Sequence, residues 1–310
     1  MSAFELFILG SNSAVPAHGR NPSAQILKHK SCSILIDCGE GTQFQMNRYH
    51  IKRANLDYIL ISHMHGDHYF GLVGLLNSMR LNGRTRELHI YGPPELDPII
   101  RLQTHYDEGD WSFQINFHAL EFGKFQVIFE SADLIVSSLP LKHKLPCNGF
   151  LFKEKPKLRT IIPEALEKFA VPNSEIFKIK QGSDFINSKG ETILNQVLSK
   201  EAKASFSYAY CSDTIYDEDL LAYIAGVDLL YHEATFLKED EEKAALRYHS
   251  TTWQAASIAK QAEVGHLLIG HFSAKYKDLS SYLIEAQEIF SDTSLALEGN
   301  AYAIPYLVGQ

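Results

Sequence analysis

Short apolar runs alternate with stretches of helical spacing along most of the chain. FELFILGS (4–11) is apolar enough for a largely buried strand, and AQILKHKSCSILIDCG (24–39) reads as two strands joined by a turn at Lys28–Ser31. LDYILISH (56–63) is a buried strand, and FGLVGLLNSMRL (70–81) carries its apolar residues at helical spacing. ELHIYGP (87–93) is a strand stopped by Gly-Pro, and FQINFHALEF, KFQVIFES and DLIVSSLPLKH follow as consecutive strands between 113 and 143. In the second half, SFSYAYCSD (205–213), VDLLYHEAT (227–235) and HLLIGHFS (266–273) are strands. Between them lie two helices. DEDLLAYIAG has acidic residues at its start and Gly226 at its end, and STTWQAASIAKQAEVG is capped by Ser or Thr and closed by Gly265. The alternation predicts an α/β protein, two mixed sheets packed together with helices outside, an αββα sandwich.

Residues 153–200 break the pattern. They are polar, interrupted by prolines, and predict only short helical pieces. From 153 to 180 the basic residues are Lys153, Lys155, Lys157, Arg159, Lys168, Lys178 and Lys180, and the acidic ones Glu154, Glu164, Glu167 and Glu175. Seven minus four gives +3 in a chain of net charge −8. The segment reads as an arm inserted into one domain spanning 1–310. Charge alone also fits a solvated excursion with ordinary lysines.

The chain has 310 residues, 45% of them apolar and 21% charged, the balance of a globular enzyme. No apolar run is long enough to span a membrane. MSAFELFILG lacks the basic start of a signal peptide, so a cytoplasmic location is expected. Cys32, Cys38, Cys147 and Cys211 form no CxxC pair, which argues against a cysteine-held metal. The acidic balance argues against general nucleic-acid binding, and no DNA partner is expected. Local patches of lysine can still meet phosphates.

The chemistry concentrates in SHMHGDH (62–68). Histidine is 14 of 310 residues, so three at these offsets would arise by chance only about 0.03 times in such a chain. The strand LDYILIS delivers His63 and His65 at its end, Gly66 allows a tight turn, and Asp67 and His68 open the next helix. Imidazole and carboxylate suit zinc and similar divalent ions. His143, Asp213 and His271 each follow an apolar run, where side chains gather at one edge of a sandwich. Alone, each reads more readily as an ordinary buried polar residue; beside the first cluster they read as further ligands.

This set resembles the metallo-β-lactamase superfamily, and within it the ribonuclease Z family, over nearly the whole chain. The matching pieces are IDCGEGTQ (36–43), SHMHGDH (62–68), LKHKLPCNGF (141–150), CSDT (211–214), HEATF (232–236), HSTTWQAASIAK (249–260) and GHFSAKY (270–276). HxHxDH identifies only the superfamily, whereas HEAT followed by HST and HFSAKY is far more specific. The resemblance implies an endoribonuclease that removes the 3′ trailer from precursor tRNA and leaves a 3′-hydroxyl.

It implies two zinc ions per chain, one held by His63, His65 and His143, the other by Asp67, His68 and His271, with Asp213 between them. Together the ions trap a hydroxide for attack on the phosphodiester. Asp37 orients ligands, and the implied catalytic set is Asp67 as proton acceptor, His249 as proton donor to the leaving oxygen, and Glu233 orienting His249. PAHGRN (16–21) resembles the loop that receives the RNA 3′ end, with His18 where a Lys is usual, so Arg20 and Asn21 are expected RNA contacts. The arm is expected to grip tRNA through Lys155, Lys157, Lys178 and Lys180, although Asn173-Ser174 stands where relatives carry Gly-Pro. A homodimer is the implied assembly. The alternative is a dizinc hydrolase of a small phosphodiester or ester, because fold does not fix function. The arm and the PAHGRN loop favour the nuclease.

Overall fold

The computed structural model describes residues 4–106 and 111–306. One sheet has seven strands in the order Ala301–Ala303, Phe4–Gly10, Ala24–His29, Cys32–Ile36, Tyr58–Leu60, Leu88–Gly92 and Ile115–Ala119. The other runs Thr293–Leu295, Leu267–Gly270, Leu229–Glu233, Ser207–Cys211, Cys147–Glu154, Leu134–Leu141 and Gln126–Glu130. Both are mixed. Antiparallel hairpins lie on one side of each, and parallel strands joined through helices on the other.

Side-chain alternation along each strand sorts residues between two faces. In the second sheet Ala209, Cys211, Leu230, Leu267 and Ile269 face the helices, packing with Ala255, Ala256, Ile258, Ala259 and Tyr282. Their neighbours Tyr208, Tyr210 and Tyr231 turn the other way and are buried. In the first sheet Ile26, Leu35, Ile59, Ile61 and Ile90 pack with Leu72, Leu75, Leu76, Met79, Leu96 and Ile100 from its helices. Hydrogen bonds stitch the two sheets face to face. Tyr208 donates to Gln25 at 2.5 Å, and the Asn148 amide donates to the Ser62 carbonyl at 3.1 Å. These are the αββα layers expected from the sequence.

Local differences have local causes. The first hairpin turns on Lys30-Ser31 alone, tighter than expected, with Lys30 at φ 53°, and pairing continues to His29 and Cys32. The 70–81 pattern yields a helix at Leu72–Leu81 behind a separate short helix, Gly66–Tyr69, which carries Asp67 and His68. Thr251, not Ser250, caps helix Thr252–Gln261, and its hydroxyl is paired with Gln254 in a reciprocal capping box. That helix ends at Gln261, so Gly265 does not close it. A side chain at 265 would meet the Asp228 carbonyl at 2.7 Å, so close backbone approach is what requires glycine there.

Lys153–Phe206, with Ser131–Leu134, forms a second compact unit, reaching past the 153–200 expected for the arm. It contains short helices at Pro163–Lys168, Ile176–Lys180 and Asn195–Leu198, two small two-stranded antiparallel sheets, and a core of Ala165, Ile179, Phe185 and Leu198. Asn195 ties it together by donating to the Ile179 and Ser183 carbonyls, both at 2.7 Å. The four cysteines are unpaired thiols, three of them buried. Among the described residues no helix is long and apolar enough to cross a membrane.

Candidate metal centre and active site

Parallel neighbouring strands point their carboxyl ends the same way, so residues just past those ends collect at one edge. Asp37, the His63–His68 run, Asp213, Glu233 and His271 all stand there. Asp37 and His271 have φ of 56° and 62°, the left-handed region that Asp and His enter more readily than most residues. His143 follows Leu134–Leu141, and His249 precedes the capped helix at 252.

Three groups form. Ligand atoms of His63, His65, His143 and Asp213 lie within 4.8 Å of one another, as do those of Asp67, His68 and His271 and those of Asp213, His249 and His271. Asp213 joins the first two. Its Oδ2 is 3.5 Å from His63 Nε2 and 3.7 Å from His143 Nε2, while its Oδ1 is 3.4 Å from His68 Nε2 and 3.2 Å from His271 Nε2. Asp67 Oδ2 lies 3.4 Å from His271 Nε2 and 3.5 Å from His68 Nε2, and accepts from the Ala14 amide at 2.7 Å.

The hydrogen bonds behind the rings decide which nitrogens face inward. Asp37 is buried and accepts from the Ser62 amide (2.8 Å), the Ser62 hydroxyl (2.9 Å), Tyr210 (2.6 Å) and His68 Nδ1 (2.7 Å). Ser62 spends its proton on Asp37, so it accepts from His63 Nδ1 at 3.0 Å. His143 Nδ1 donates to the Tyr248 carbonyl at 2.8 Å. Each ring therefore carries its proton on Nδ1 and turns a bare Nε2 to the centre. His65 instead presents Nδ1, 3.1 Å from the Nε2 atoms of both His63 and His143. Bare nitrogens facing one another repel unless a cation lies between them. Among the described residues the buried His68 Nε2 has no hydrogen-bond partner, which is the orphan that a metal ligand leaves. The donor set of imidazoles and carboxylates fits a borderline divalent ion.

Burial lowers the pKa of His63, His65 and His143, the last to about 4, which keeps their lone pairs available at neutral pH. Burial would raise the carboxyls of Asp67 and Asp213, but neighbouring histidines outweigh it and hold both ionised. At His68 burial is overcome by Asp213, Asp67 and Asp37, which raise its pKa and mark a position that attracts positive charge. Beside the centre, His249 Nδ1 lies 2.8 Å from Glu233 Oε1. Burial opposes protonation of His249, but Glu233 raises its pKa to about 9. Glu233 is fully buried and also accepts from the Thr214 amide (3.1 Å) and from the Thr235 amide (3.0 Å) and hydroxyl (2.7 Å). A cavity of about 450 Å³ opens over Asp67, His65, Asp213 and His249, walled by Ala14, Val15, Pro16 and Phe70, large enough for a nucleotide-sized group.

Every residue expected as a ligand, together with Asp37, Glu233 and His249, stands at this one edge. Of the expected RNA contacts, Arg20 and Asn21 are engaged with the protein's own groups. Arg20 donates to Asn12 Oδ1 (2.8 Å) and to the Tyr276 (2.7 Å) and Lys277 (3.2 Å) carbonyls, and Asn21 donates through its side chain to Glu298 at 2.8 Å. Both side chains brace the 13–21 loop against the protein. In the arm unit Lys157 pairs with Glu154 at 2.6 Å and Lys178 with Glu175 at 3.0 Å. Sequence reasoning missed Ser62, Tyr210, Thr235 and Glu298. Ser62 and Thr235 sit inside the motifs, but a hydroxyl beside a ligand carries no spacing signal. Tyr210 reads as one more apolar strand residue.

Comparison with known proteins agrees with this geometry. The family model described as anti-Pycsar protein Apyc1 matches residues 4–143. Ribonuclease Z of Cytophaga hutchinsonii is 46% identical over 306 residues, 97% of this chain and 96% of that protein. Ribonuclease Z of Bacteroides fragilis is 41% identical over 298 residues, 96% of this chain and 98% of that one. The solved structure of human tRNase Z, short form (ELAC1), covers 97% of this chain and 99% of its own, with a TM-score of 0.71 at 23% identity. The metallo-beta-lactamase fold protein YhfI from Bacillus subtilis covers 96% and 98%, with a TM-score of 0.69 at 17% identity. The layered sandwich with its histidine–aspartate edge is thus the metallo-β-lactamase fold. The chain belongs to the ribonuclease Z family, and it is an endoribonuclease.

Asp37 orients His68 directly and His63 through Ser62, so Asp37→Asn, which puts an amide donor among four donors, is expected to weaken divalent-metal affinity ~10–100-fold while the protein stays folded. Equilibrium dialysis against a buffered divalent metal ion measures this; unchanged affinity would contradict the orienting role.

Proposed function

We propose that this protein cuts precursor tRNA at the 3′ side of the mature tRNA, leaving a 3′-hydroxyl, and that it does so with two zinc ions per chain. The carrying observation is the divided Asp213 carboxylate, one oxygen toward each ligand group, with the Glu233–His249 pair beside it. The names of the relatives supply the substrate. On this reading His63, His65 and His143 hold one ion, Asp67, His68 and His271 the other, and Asp213 both. The bound ions would supply Lewis acidity at the phosphate and lower the pKa of the attacking water.

The chain's own groups handle the protons. Asp67 lines the cavity, and on the family resemblance it accepts a proton from the attacking water. The leaving 3′ oxygen needs a proton. His249 carries one at neutral pH, and its Nδ1 is committed to Glu233, so Nε2 is the atom left to give it. The 153–206 unit serves as the tRNA grip, with Lys155, Lys157, Lys178 and Lys180 meeting phosphates of the tRNA body. The family resemblance implies that the enzyme works as a homodimer.

The test is cleavage of an end-labelled precursor tRNA with product ends mapped, wild type beside Asp67→Ala. One cut just past the acceptor stem, absent in the variant, is expected. Hydrolysis of bis(p-nitrophenyl) phosphate without any cut in the precursor would move the substrate to a small phosphodiester. His249→Ala is expected to slow precursor cleavage ~10²–10⁴-fold with little loss of zinc; collapse of metal content would contradict the donor role. Deleting 155–195 should weaken tRNA binding in a filter assay while sparing the small diester. Equal loss of both would make the segment part of the fold rather than a grip.

A further inference from the structure

Thr235 is 2% exposed and sits where the two halves of the site meet. Its hydroxyl is 2.7 Å from Glu233 Oε2, 2.8 Å from His271 Nδ1 and 3.3 Å from His249 Nδ1. Its own amide donates to the same Glu233 oxygen at 3.0 Å. The backbone here is pinned, because the Thr235 carbonyl accepts from Tyr282 (2.8 Å) and from the Ser273 amide (3.1 Å).

A threonine hydroxyl has one proton to give and two lone pairs to accept with. The carboxylate of Glu233 is surrounded by donors, two of them backbone amides, and it takes that one proton. The hydroxyl is then an acceptor toward His271, so Nδ1 of His271 must carry the hydrogen. Nε2 is left bare, 3.2 Å from Asp213 Oδ1 and 3.4 Å from Asp67 Oδ2, pointing into the second ligand group. His68 and His63 receive the same treatment from Asp37 and Ser62. His271 has no carboxylate of its own, and Thr235 reaches Glu233 on its behalf.

We propose that Thr235 is a positioning residue: its hydroxyl fixes the His271 tautomer for metal binding and ties that ring to the same carboxylate that orients His249. This rests on the two-metal reading above. The variants are Thr235→Val, which keeps the shape and removes the hydroxyl, and Thr235→Ser, which keeps the hydroxyl and removes the methyl. Zinc affinity is read by competition with a chromophoric chelator, without tRNA. The valine variant is expected to bind one of two zinc ions ~10–100-fold more weakly, and the serine variant to recover wild-type affinity. Wild-type affinity in the valine variant, or equal loss in both, would overturn the proposal.

Nitrogen-15 NMR of the zinc-loaded wild type supplies a test independent of either variant folding. Hydrogen on Nδ1 and metal on Nε2 of His271 is expected; metal on Nδ1 would overturn the proposal. A wild type that binds two zinc ions yet leaves precursor tRNA uncut would overturn the substrate assignment and leave the Thr235 result standing.

Discussion

A buried carboxylate that faces several bare imidazole nitrogens is the constraint around which this structure is arranged. Asp213 is 1% exposed, and among the described residues its ion-pair partners are histidines alone, with outer nitrogens already committed. Removing such a charge from water costs several kcal/mol unless opposite charge compensates it. Neighbouring histidines hold it ionised, His68 among them with its own pKa raised, and cations among the inward-turned nitrogens would supply the same compensation. The outer hydrogen bonds from Asp37, Ser62, the Tyr248 carbonyl and Thr235 hold those rings in the one orientation that makes the conflict resolvable by metal.

The sheets exist in the form that delivers this. Parallel strands 207–211, 229–233 and 267–270 bring Asp213, Glu233 and His271 to adjacent positions, with Glu233 in register with Gly270. Gly270 itself admits no side chain, since a Cβ there would meet the Tyr231 hydroxyl at 2.4 Å. The tyrosines between the sheets have a second role. Tyr210 reaches from one sheet to Asp37 at the end of a strand in the other, so inter-sheet packing and ligand orientation share one hydrogen bond.

This division also sets what the sequence discloses. His63, His65, Asp67 and His68 are legible because ligand spacing within one turn is a local property. His143, Asp213 and His271 each follow an apolar run, which alone reads as an ordinary buried polar residue; only the first cluster beside them singles them out. The layers follow from where those runs fall. Ser62, Tyr210 and Thr235 act through contacts made only after the sheets close; the Tyr210–Asp37 bond joins residues 173 apart in sequence. The contacts of Arg20 are also invisible in the sequence: its guanidinium gives three of its five donors to the Asn12 side chain and the Tyr276 and Lys277 carbonyls. Gly265 looks like a helix stop and is instead a point of close strand-to-loop approach.

The central claim is that the inward-facing ligand set makes precursor cleavage depend on two bound ions. The direct measurement is to strip the protein of metal, add zinc stepwise, and follow both bound ions per chain and cleavage at the tRNA 3′ junction. The account predicts no cleavage by the stripped protein and full activity when two ions per chain are bound. Undiminished cleavage by the stripped protein, or none with both ions in place, would contradict it.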